Sequence, residues 1–225
     1  MPWSRFDIGC CCTANPCYDY GQAIAPYADD FSVDTSADYY DWTGVSISGG
    51  VVNASRSVFN QQPQAIWLTN LPTNPNNLII EVEFTISPTG IYTVAESVVR
   101  IAIGPTASIG TQLIGGQYLR NTTSGSNLDD YGSATIDNGK LVIIIDDIGG
   151  GNVQITRQVY YGATLELSDI ETKTQASYAA SLTNVLLTPP SSQPGCALNV
   201  GFGGSATVLN ATIDYTFDNF SVDWS

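Results

Sequence analysis

Histidine is absent from the 225 residues of this chain. That excludes Ser-His-Asp and Cys-His nucleophilic systems, imidazole zinc ligation and pH switching through an imidazole. Positive charge is also scarce, with 7 Lys and Arg against 21 Asp and Glu and a formal net charge of −14. Binding nucleic acid requires clustered Lys and Arg that displace counterions from phosphates, so no nucleic-acid partner is expected. An anionic membrane surface is disfavoured for the same reason. Long apolar runs are missing too: nothing approaches the roughly 18 residues of a membrane span. The opening "MPWSRFDIGCCC" lacks the apolar stretch of a classical signal peptide, and although Gly9-Cys10 ends like a lipoprotein cleavage site, no hydrophobic segment precedes it. The expected location is extracellular or virion-associated, reached by a route other than a classical signal. Any catalysis is left to carboxylates, tyrosines, thiols and the few Lys and Arg residues.

What is present is a succession of short strand-like runs. "NNLIIEVEFTIS" (76–87) alternates, with Ile80, Val82, Phe84 and Ile86 on one face and Glu81, Glu83 and Thr85 on the other. A period of two marks a half-buried strand. "GVSISGGVVNAS" (44–55) predicts a hairpin turning at Gly49-Gly50. "SATIDNGKLVIIIDD" (133–147) predicts another, turning at Asp137-Asn138-Gly139, with Leu141 to Ile145 as a central strand and Gly149-Gly150-Gly151 closing the region. Further strands are expected at 97–104, 111–120, 152–161, 162–168, 196–204 and 211–224, while the Ala-containing stretch 175–187 also permits a short helix. Many short strands with closely spaced turn signals predict an all-β antiparallel β-sandwich of jelly-roll type. One such domain accommodates 27–225, and residues 1–26, rich in Cys and loop formers, are expected to be an N-terminal arm.

"YADDFSVD" (27–34), "YYDWTGVSISGGVVNAS" (39–55), "LNVGFGG" (198–204) and the closing "YTFDNFSVDW" (215–224) together resemble the concanavalin A-like, LamG-type jelly roll. The overall layout is also similar to short bacterial and phage open reading frames. The resemblance implies that the opening "DDF" strand and the closing strand lie side by side in one sheet, that the Trp42 segment belongs to the first hairpin, and that "LNVGFGG" is the penultimate strand. Jelly rolls of this kind often hold a structural calcium near the paired termini, which nominates Asp29, Asp30 and Asp218 as Ca2+ ligands. Related folds host lectins, hydrolases, adhesins and virion parts, so the fold does not choose among functions.

Several residue sets bear on the choice. Glu81 and Glu83 share a strand face, and two carboxyl groups about 5–9.5 Å apart are what glycoside hydrolysis needs. Family hydrolases carry an acidic triplet on alternate residues, and here Thr85 stands at its third position, so the third carboxylate is missing; a solvated strand face is the ordinary account of the pair, and catalysis the minor one. Trp42, Trp67, Tyr39 and Tyr40 are the candidate sugar-stacking aromatics, with Tyr92, Tyr160 and Tyr161 also available, against the ordinary role of such rings as core or cross-strand partners. Asp146-Asp147, ahead of three glycines, reads as a turn or as oxygen ligands for calcium.

Four of the five cysteines, Cys10, Cys11, Cys12 and Cys17, crowd the arm, and Cys196 lies far along the chain. Zinc or an iron–sulfur cluster fits badly, because three are contiguous. A bridge from the arm to Cys196 closes a loop of about 180 residues and stabilises by somewhat over ~4 kcal/mol in the chain-entropy limit. An odd count leaves one thiol free or paired with another chain, and reduced thiols on a tail are the plain alternative. The expected function is a non-catalytic structural or attachment subunit of a virion or extracellular surface assembly. Its arm would meet other protein subunits and its sandwich would take a neutral glycan. A soluble carbohydrate-binding lectin-like module and a carboxylate-dependent glycoside hydrolase are the alternatives.

Overall fold

The computed structural model describes residues 27–39, 41–56, 64–68, 75–90, 97–103, 111–114, 118–121, 127–130, 136–183, 199–206 and 211–223. Tyr40, Tyr92 and the five cysteines fall outside these residues, as does the whole of the 1–26 arm. Fifteen strands follow in order: β1 (Tyr27–Asp29), β2 (Asp41–Thr43), β3 (Val45–Ser48), β4 (Val51–Arg56), β5 (Gln64–Leu68), β6 (Leu78–Gly90), β7 (Ser97–Ile103), β8 (Thr111–Ile114), β9 (Tyr118–Asn121), β10 (Asn127–Asp130), β11 (Ile136–Gly149), β12 (Asn152–Tyr161), β13 (Thr164–Thr174), β14 (Asn199–Ala206) and β15 (Ala211–Asp223). One described α-helix, α1 (Gln175–Thr183), follows β13, and a single turn of 3-10 helix spans Ser36–Asp38 between β1 and β2. No helix among the described residues is long and apolar enough to cross a membrane.

The strands form two antiparallel sheets. One has eight strands in the order β13-β12-β11-β6-β15-β4-β3, with β1 also paired to β15; the other has seven in the order β10-β9-β8-β7-β14-β5-β2. The core lies between them. β6 supplies Ile80, Val82, Phe84 and Ile86, β15 supplies Ile213, Tyr215, Phe217 and Phe220, and the seven-stranded sheet supplies Val99, Ile101, Ile103 and Leu113, all buried. Each such aliphatic or aromatic side chain contributes on the order of 1.5–3 kcal/mol when fully withdrawn from water. The alternation in β6 therefore fixes which of its faces is outward: Glu81, Glu83 and Thr85 are half-exposed on the far side of the sheet.

The first and last described strands lie side by side, as the resemblance implies. β1 pairs with β15 through Tyr27↔Val222 and Asp29↔Phe220, and β14 is the penultimate strand. The Gly49-Gly50 hairpin is formed by β3 and β4, both glycines at positive φ (66° and 79°), which a two-residue primed turn requires. Trp42 stands apart from that hairpin: β2 pairs with β5 in the other sheet, and the chain changes sheets at Gly44.

At 137–139 the structure overturns the expected hairpin. β11 runs unbroken from Ile136 to Gly149, and Gly139 lies inside it between Phe84 of β6 and Tyr161 of β12. A register shift between Ile136 and Gly139 marks a bulge. The Phe84 ring occupies the space that a Cβ on Gly139 would need. The glycine serves close approach of an aromatic ring within a strand, a role it shares with turns in sequence but not in structure. The described part of the ambiguous 175–187 stretch, Gln175–Thr183, is α1: Thr174 Oγ1 accepts from the Ser177 N–H at its start, and Tyr178 is buried. The 111–120 run divides into β8 and β9, paired antiparallel.

Candidate functional site

The outer face of the eight-stranded sheet carries an open groove of about 710 Å³ over β15 and β6, walled by the segment that follows β1. Asp30, Thr35, Glu81, Glu83, Asn219 and Ser221 line it. Candidate carboxylates from two separate stretches of the sequence, Glu81 and Glu83 on one hand and Asp29 and Asp30 on the other, thus converge on one place, while Asp218 is not among the lining residues and stands beside it as the strand partner of Glu83.

Each is positioned by local structure. Glu81 and Glu83 occupy alternate residues of β6, and β15 sets Ser221 opposite Glu81 and Asp218 opposite Glu83. Three steps on β15 span two on β6, which is a bulge, and Asn219 at its centre has φ 48°. Asparagine tolerates this left-handed conformation better than most residues. The bulge turns the Asn219 side chain so that its Nδ2 donates to Glu83 Oε2 at 2.8 Å, while its backbone N–H donates to Asp218 Oδ1 at 2.8 Å. Glu81 Oε2 lies 3.7 Å from Lys140 Nζ, an exposed pair of small energetic weight.

The opening "DDF" segment works differently from its neighbours. Asp29 is 6% exposed and accepts four bonds: Phe31 N–H to Oδ1 at 2.8 Å, and the hydroxyls of Tyr27, Thr35 and Tyr39 to Oδ2 at 3.2, 2.6 and 3.1 Å. It folds the chain around Phe31, whose backbone has φ 52° and whose ring enters the core. Asp30 accepts from the Ser32 N–H at 3.0 Å, and that bond holds its carboxyl below the ordinary value. Asp218 moves the opposite way. Burial raises its pKa most, and the nearby charges of Glu83, Asp30 and Asp29 raise it further, against the Asn219 N–H. Among the described residues no three acidic side chains are placed to share a metal ion. The oxygens of Asp29 are committed to the turn, and nothing in this donor set assembles the six or more oxygens that calcium takes.

The aromatic candidates separate. Tyr39 is not an outward sugar platform: it is 4% exposed, its hydroxyl is bound to Asp29, and its phenol is pushed upward in pKa by burial, with Tyr27 and Asp29 adding to the shift. Its ring stacks near Trp42, centroids 4.9 Å apart, in a cluster with Tyr27, Phe31 and Phe220 that fastens the first strand to the last. Trp42 is half-buried against the same core. Trp67 lies on β5 opposite Val200, in the other sheet. Asp146, within β11, accepts from the Asn77 N–H just ahead of β6 and so ties two neighbouring strands together, whereas Asp147 accepts from the Gly149 N–H and belongs to the turn. Asn219, Ser221 and Thr35 are the groove residues that the sequence reading did not single out. The "Asp-Asn" step inside an otherwise alternating strand was the available signal, since it favours a left-handed bulge residue.

No protein-family model matches the chain. No curated protein sequence matches it either. Among solved structures it is similar to a lectin from Bauhinia forficata in complex with GalNAc, at 10% identity and TM-score 0.51, over 89% of this chain and 98% of that one. It is similar to a mutant of the GH43 protein BlXynB from Bacillus licheniformis, at 13% identity and TM-score 0.51, over 86% of this chain and 39% of that one. Arcelin-5, a lectin-like defense protein from Phaseolus vulgaris, is more distant, with 9% identity and TM-score 0.47 over 89% and 99%. At such identities the likeness concerns the fold, and the fold of this chain is the lectin-type, concanavalin A-like jelly roll.

Proposed function

We propose that this chain is a non-catalytic attachment or structural β-sandwich that binds a neutral glycan in the groove over β6 and β15. It would be displayed on a virion or extracellular surface assembly and joined to other protein subunits through residues 1–26. The observation that carries the reading is the groove itself. Carboxylates, an amide and hydroxyls from β6, β15 and the β1 segment converge there on one open depression. Carboxylates accept and amides both donate and accept, so the set matches the mixed donor and acceptor character of sugar hydroxyls. Among the described residues four acidic side chains and no Lys or Arg line the depression, which disfavours uronates and sulfated sugars.

A glycan array probed with the full chain tests this. Neutral glycans should be retained and Asn219→Gly should lose them, since glycine keeps the left-handed backbone while deleting the amide. Retention of only acidic glycans, or an unchanged profile in Asn219→Gly, contradicts the reading. The soluble lectin-like alternative is separated by native mass with and without reductant: a subunit joined through its arm forms a larger assembly that loosens on reduction, and a lectin does not.

Glycoside hydrolysis is the second reading, favoured by Asp218 standing directly across from Glu83 with its pKa raised. A carboxyl kept protonated beside an ionised one is the usual division between general acid and nucleophile. Against it, Glu83 is already bonded to Asn219 and Glu81 lies beside Lys140. Release of reducing ends that disappears in Asp218→Asn and in Glu83→Gln would establish cleavage; binding without release supports the non-catalytic reading.

A further inference from the structure

Resting on the glycan-binding reading, we infer that the ligand is an internal stretch of a linear neutral polysaccharide, held along β15 by two grooves in series. The second groove, about 410 Å³, lies on the same outer face over β3, β4 and β15. Ser46, Asn53, Ser55, Asp214 and Thr216 are its polar lining residues, with the Asn53 Nδ2 donating to Ser48 and Val51 at the hairpin turn. Like the first, it is lined by hydroxyl, amide and carboxylate groups without Lys or Arg.

The strand register joins the two. Ser46 pairs with Asn53, Asn53 with Thr216 and Thr216 with Thr85, which makes one polar row across four strands. The Thr85 and Thr216 hydroxyls are 2.7 Å apart at its end. The next outward-facing pair along β15 and β6 is Asp218 with Glu83, at the entrance of the first groove. From Asp214 in one groove to Ser221 in the other is seven residues of strand, about 23 Å, a span of several pyranose rings. Both grooves are open rather than enclosed, so a chain can pass through them and continue beyond either end. A pocket for a terminal sugar is a closed concavity and needs no such second site.

A polymer chain engages the two grooves at once, so affinity grows with chain length until both are filled. Isothermal titration of the full chain with neutral cello-, xylo- and N-acetylglucosamine oligosaccharides, from disaccharide to hexasaccharide, tests this. The bound series should tighten by roughly tenfold or more across that range. In Asp214→Ala and in Ser46→Tyr, both on exposed positions of the second groove, the ratio of hexasaccharide to disaccharide affinity should collapse toward one. Length-independent affinity in the unaltered chain, or an undiminished ratio in both variants, overturns the two-groove track while leaving neutral-glycan binding intact. Absence of binding by every oligosaccharide overturns both readings together. Binding only of a deacetylated, cationic amino-sugar chain, abolished by salt, overturns the neutral class.

Discussion

Asp29 is the residue on which the start of the sandwich depends. Removing its carboxylate deletes the buried acceptor shared by the Tyr27, Thr35 and Tyr39 hydroxyls and releases the turn that places Phe31 in the core. Asp29→Ala should cost about 3 kcal/mol, the upper range for a buried charged hydrogen-bond hub, read as a lower urea midpoint. Asp218 should behave oppositely. Its pKa is raised in the folded chain, so its charged form is disfavoured by folding. The stability withheld above the folded pKa returns as pH falls and the carboxyl is protonated. Asp218→Asn should therefore raise the melting temperature at pH 7 by about 1–3 °C, with the gain shrinking in acid; a variant less stable than the parent at neutral pH would count against the like-charge account. Glu171 supplies the reverse sign. Burial opposes its charge, but hydrogen bonds from Lys173 and Arg157 outweigh this and hold the carboxyl below the ordinary glutamate value of 4.5. Its contribution is present above about that pH and is lost as pH falls through the lower folded value. In Glu171→Gln the acid limb of the stability curve should be flatter than in the parent.

At the scale of elements, legibility followed periodicity. β6 announced its buried and outward faces because one residue in two is apolar, and the hairpin at Gly49-Gly50 announced its turn. Gly139 misled because a glycine after Asp-Asn has the same appearance whether it turns a hairpin or makes room for a ring that arrives from another strand. Gly139→Ala should destabilise by about 1–3 kcal/mol through overpacking, and Phe84→Leu should relieve part of that cost in the double variant; additive costs would mean that the ring is not the obstacle. Arg157 was equally hidden. It takes an inward position in the alternating strand β12, fully buried, and bonds to Asp169 at 3.0 Å and Glu171 at 2.7 Å on the edge strand β13. Charges turned inward on an edge strand discourage the pairing of that edge with another chain, and their partners lie 12 and 14 residues away, beyond any local pattern. The groove was half legible. Its carboxylates were visible as residues, but that the "DDF" turn and the Glu81–Glu83 strand share one site depends on β15 pairing with both β1 and β6.

At the scale of the whole molecule, a net charge of −14 and a groove lined by four carboxylates point to the same class of ligand. On the proposed reading an uncharged sugar chain would form hydrogen bonds there without charge repulsion, and its affinity should change little between low and physiological salt, in contrast to a cationic partner. The two sheets offer two outer faces, and only one of them carries the convergence of β1, β6 and β15. The most direct measurement is a crystal structure of the full chain with a neutral oligosaccharide bound. Sugar density along β15, within hydrogen-bonding distance of Glu83 and Asn219, is the result expected. Density on the outer face of the seven-stranded sheet, with the β15 groove empty, would contradict the account.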